Sequence, residues 1–96
     1  RARCARNLAA LRARTRDTAI DVPEVAGGWY ASLRVPATQA DETWALALLE
    51  GDGVLVHPGY LFEFPVRQAW LVVSLLTPEP IFDAGIDAIV ARIARA

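Results

Sequence analysis

Few residues in this 96-residue chain are able to carry proton transfer or nucleophilic attack. There is one histidine, His57, one cysteine, Cys4, and no lysine, since all ten basic residues are arginine. His57 stands in "GVLVHPGYLFEFP", between a short apolar run and an aromatic segment with a Pro-Gly turn. A histidine base needs an orienting acid and a reacting partner within hydrogen-bond reach. Glu63 is the only local acid, and nothing in the sequence fixes the pair. A serine nucleophile would have to be Ser32 or Ser74. Ser74 lies inside an apolar run, and no Gly-x-Ser-x-Gly elbow is present. The glycines of "GDGVLVHPG" have the wrong spacing for a phosphate loop and precede a strand rather than a helix. One His, one Cys and scattered acids do not form a metal-ligand set. Asp41 and Glu42 read as charges that favour a helix start. Catalytic residues in this chain: none.

The elements that must position these residues follow from periodicity. Cys4, Leu8, Leu11 and Thr15 fall on one face of a lead-in helix over 1–17, with arginines on the other faces. Residues 21–28 hold a proline and a Gly-Gly pair and read as a loop. "WYASLRVP" alternates between an apolar and a more polar side and predicts a strand over 29–35, ended by Pro36. Thr38 with Asp41 resembles a helix-start box, and a helix over 40–50 is stopped by Gly51. A short strand over 54–57 follows. A strand over 70–76, "WLVVSLL", is apolar on both faces and belongs in the middle of the sheet. Phe82, Ile86, Ile89, Val90 and Ile93 define a closing amphipathic helix over 79–95. Gly85 within it suggests a close-packed neighbour. The order α-β-α-β-β-α implies an α+β two-layer sandwich. Its three-stranded mixed sheet, spatial order 1-3-2, carries the helices on one face.

Composition bounds the rest. The length is that of a single domain, 1–96, and 54% hydrophobic content is rich for so small a core. The surplus suggests a face meant for another domain or subunit. The longest apolar run, Ala69–Leu76, is far short of the roughly 20 residues of a membrane span, and no secretory signal pattern is present. A lone cysteine fits a reducing, cytoplasmic compartment. Six of the ten arginines lie in the first sixteen residues, yet the net charge is −1. A nucleic-acid arm is thereby disfavoured, and neither nucleic acid nor membrane is expected as a partner. The chain opens without methionine inside a helix, which reads as a piece of a longer protein.

The ordered set "GGWYASLRVP", "DETWALALLEGDGVLVHPG" and "WLVVSLLTP" with a terminal amphipathic helix resembles the C-terminal small domain of fold-type I, PLP-dependent aminotransferases of the class I/II group. The resemblance spans about Arg3 to Ile93. It implies a parent enzyme that transfers an amino group between an amino acid and a 2-oxo acid, using pyridoxal 5'-phosphate. It also implies a homodimer, and a large domain that supplies the cofactor lysine, the phosphate cup and the acid facing the pyridine nitrogen. A chain without lysine cannot form that Schiff base, so alone it binds no cofactor and is inert. By motif position Gly28, Trp29 and Tyr30 match the Gly-Gly-aromatic entry that approaches substrate, though core or interdomain packing would also account for the aromatics. His57 matches the loop near the interdomain cleft, together with Tyr60. The family's third strand carries Arg-x-Ser, whose arginine grips the substrate carboxylate with two hydrogen bonds. Aligned on Ser74, that position holds Val72. Arg67 or a residue of the large domain would take over, or the substrate is not an ordinary α-amino acid. The alternative is a non-catalytic α+β binding or dimerisation module.

Overall fold

Leu11 and Thr15 lie one turn apart and are buried, with Cys4 and Leu8 packed partly against the same core. That stripe fixes α1 (Ala2–Thr15). The computed structural model describes residues 2–23, 28–59 and 68–95. After α1 come β1 (Tyr30–Val35), α2 (Asp41–Asp52), β2 (His57–Pro58), β3 (Ala69–Ser74) and α3 (Glu79–Arg95).

The sheet runs β1-β3-β2, the order that the all-apolar third strand predicts. Both ladders are antiparallel. The sheet is therefore purely antiparallel rather than mixed as the sequence suggests: β1 and β2 run the same way, but β3 lies between them and pairs antiparallel with both. Along β1 and β3, Ala31, Leu33, Val35, Ala69, Leu71 and Val73 face one side. They join Leu11, Trp44, Leu48, Phe82, Ile86, Ile89 and Ile93 in one core cluster. Every helix thus contributes to the layer on that side of the sheet. Trp44 also donates its indole N–H to the Pro36 carbonyl at 2.9 Å, fixing α2 to the end of β1.

Four local expectations are corrected. The helix expected to stop at Gly51 runs on to Asp52, and Gly53 caps it at φ 68°. The Gly53 and Val54 N–H groups reach the Leu49 and Leu48 carbonyls at 3.1 and 3.0 Å, an αL closure that glycine's left-handed backbone allows. Those bonds, with Val56 turned into the core, leave ladder pairing to begin only at His57. The second strand is therefore His57–Pro58 rather than 54–57. At the other end of α2 the N-cap is Ala40, with no side-chain cap from Thr38 or any other residue. Asp41 and Glu42 do occupy the first turn, where the helix dipole favours negative charge. Finally, a Cβ added at Gly85 would meet only Val54 Cγ1 at 3.8 Å, an ordinary contact, so no close-packed neighbour explains that glycine.

α1 is held to α3 by charge as well as packing. Arg6 bonds Asp83 and lies 3.5 Å from Glu79, while Arg14 reaches Asp83 at 3.3 Å and Asp87 at 2.9 Å. The hydrogen bond from Arg6, aided by the nearby Arg14 charge, holds the Asp83 carboxyl below the usual aspartate range against a partial desolvation. Two of the six arginines of the opening segment, Arg6 and Arg14, are thus paired with acids of α3.

Candidate functional site

The side of the sheet opposite the helices carries two of the sequence-predicted site residues, Tyr30 and His57. Strand alternation puts Tyr30, Ser32 and Arg34 of β1 on that side. Their register partners Ser74, Val72 and Trp70 of β3 share it. His57, opposite Val72 in the second ladder, completes it. The face is therefore a small wall of two aromatics, a valine, hydroxyls, one guanidinium and one imidazole, with Trp70 and Val72 buried in it.

Gly28 begins the wall at φ 84°, a left-handed conformation that a side chain would strain. That turn delivers Trp29 and Tyr30 to the start of β1 with 52% and 42% of their surfaces exposed. Their rings lie 6.4 Å apart at 43°. The Leu75 N–H donates to the Trp29 carbonyl at 2.6 Å, so the backbone beneath the exposed indole is tied to the end of β3. Two large exposed aromatics on a pinned backbone make a rigid apolar contact surface at low entropy cost.

The middle row reads Ser32, Val72, His57 across the three strands. Val72 is 2% exposed yet stands outside the core cluster. His57 at the edge is exposed. Tyr30 and His57 share the face but are two strand spacings apart, roughly 10 Å sideways, so they act as separate parts of a wall. Arg67, together with Tyr60 and Glu63, lies outside the described residues.

The chemistry available on this wall is binding. Among the described residues no hydrogen bond joins His57 to a carboxylate or to a serine. Ser74 Oγ instead accepts the Leu76 N–H at 3.2 Å, and its carbonyl accepts from Thr77 at 3.2 Å. Cys4 packs on the helix side of the sheet, away from His57. Among the described residues no group of three His, Cys, Asp or Glu could hold a metal ion, and no helix is long and apolar enough to cross a membrane.

One cluster escaped the sequence reading. Arg34 points from β1 over the Trp70 ring, its Cζ 5.9 Å from the centroid, and its guanidinium bonds the Asp21 carboxylate. The Asp21 backbone also pairs with Arg34, N–H to carbonyl in both directions at 2.9 and 2.8 Å. The sequence places Asp21 in a loop because a one-residue bridge has no periodicity to betray it. The alternation of β1 did place Arg34 on the polar side, but not its stacking partner, which lies 36 residues further along the chain.

Pyridoxal phosphate does not fit these residues. The chain has no lysine to bind it as a Schiff base. The carboxylates nearest to burial are already matched by arginine, Asp83 by Arg6 and Arg14 and Asp52 by Arg92. Arg92 holds the Asp52 carboxyl below its ordinary range through a direct hydrogen bond.

No family model matches the chain, and no curated protein matches it in sequence. Among solved structures it is similar to YbdL from Escherichia coli, described as having a methionine aminotransferase function. The two agree with a TM-score of 0.78 at 14% identity, over 91% of this chain and 24% of that one. The chain has an aminotransferase-like fold. It spans only about a quarter (24%) of the aminotransferase that it matches.

Proposed function

We propose that these 96 residues are the small domain of a PLP-dependent aminotransferase. The parent would move an amino group between an amino acid and a 2-oxo acid. The observation that carries this reading is the match of nearly the whole domain, 91% of it, to one part of a methionine aminotransferase. The motif order from Gly28 through the closing helix supports it independently. In this reading the cofactor, its lysine and its phosphate site belong to a large domain beyond these residues, and the domain alone is inert. Its own contribution is one wall of the substrate pocket.

On that wall Gly28 brings backbone close, Trp29 and Tyr30 offer aromatic surface, and His57 offers a hydrogen-bonding edge. None of them moves a proton in this account. They orient substrate and exclude water. Val72 cannot bind a carboxylate, so that task falls to Arg67 or to the large domain. The large domain and a second protomer are the partners proposed, in the cytoplasm.

Exposed Leu46, Leu49, Leu55 and Ile81 equally suit a non-catalytic association module. The coding sequence upstream of Arg1 separates the two. A lysine-bearing cofactor domain there supports the enzyme, and its absence from the full-length protein rules the enzyme out.

A further inference from the structure

No further inference is drawn: the strongest candidate, the half-open apolar groove of about 610 Å³ between the Val54–His57 edge and α3, is flanked by exposed Leu55 and Ile81, but nothing in the structure shows what covers it.

Discussion

Replacing Asn7 by alanine removes the buried side chain that ties α1 to the turn between β3 and α3, where Arg3 adds only an exposed bond to the Leu76 carbonyl. Asn7 is fully buried. Its Nδ2 donates to the Leu75 and Thr77 carbonyls, each at 2.9 Å, and its Oδ1 accepts from Arg6 at 2.8 Å. Alanine leaves both carbonyls without that donor. A buried acceptor left unpaired costs about 1–3 kcal/mol. The bond to Leu75 is buried and the one to Thr77 only partly so, so water restores some of the second. The expected loss is about 2–4 kcal/mol, or roughly 10–25 °C in Tm for a domain of this size. Urea unfolding followed by the fluorescence of the buried Trp44 and Trp70 reads it directly, with the m-value required to stay constant. Asn7→Asp sharpens the test. It keeps the shape but sets a carboxylate against two carbonyl oxygens, so near neutral pH it should destabilise as well. Protonation at low pH returns one donor and should narrow its gap to the parent. A loss below about 0.5 kcal/mol for Asn7→Ala, the range of ordinary surface changes, would refute this account of the α1 anchor.

Glycine substitutions separate space from backbone geometry. Gly85→Ala should stabilise by about 0.5–1 kcal/mol, because its Cβ meets only an ordinary contact inside a helix. Gly53→Ala should destabilise by about 1–2 kcal/mol, because its φ of 68° is left-handed. Thermal melts of the two variants should move in opposite directions. Asp83 has its folded pKa depressed, so its contribution is present above the unfolded aspartate value, about 3.9, and is lost as pH falls through the folded one. Tm measured from pH 7 to pH 2 should therefore drop at the acid end, and Asp83→Asn should flatten that limb. Tyr30→Ala and His57→Ala alter exposed side chains and should change stability by no more than about 0.5 kcal/mol. In the full-length protein, on the proposed aminotransferase reading, they should raise KM, and unchanged KM in both variants would remove the proposed wall.

The parts of this fold legible in the sequence are those set by local pattern. The spacing of Phe82, Ile86, Ile89 and Ile93 marks α3 because a single helix face must be apolar to meet a sheet. The two-sided apolarity of β3 marks the central strand for the same kind of reason: Leu71 and Val73 face the helices, while Trp70 and Val72 are buried on the other side. Where two glycines stood two residues apart, Gly51 and Gly53, pattern alone could not say which one adopts the left-handed turn. Gly51 instead leaves room for Arg92, whose guanidinium occupies the space that a Cβ there would take and closes onto Asp52. That contact spans 40 residues and has no local signature. The same holds for the Arg6 and Arg14 pairs with Asp83 and Asp87, and for Asn7, whose partners Leu75 and Thr77 lie 68 and 70 residues further along. On the wall, motif order suggested Gly28, Trp29, Tyr30 and His57, and alternation with strand register puts the last two on one face. Arg34 and Asp21 needed the tertiary fold to be seen.

The most direct test of the central claim is the visible absorbance of the full-length protein that carries this domain. The account predicts a band above the protein's own absorption, from cofactor bound to a lysine outside these 96 residues, which shifts when an amino acid is added. The isolated domain, lacking lysine, should show no such band when mixed with the same cofactor. A full-length protein that takes up no pyridoxal phosphate, or whose bound cofactor is indifferent to every amino acid offered, would contradict the aminotransferase reading.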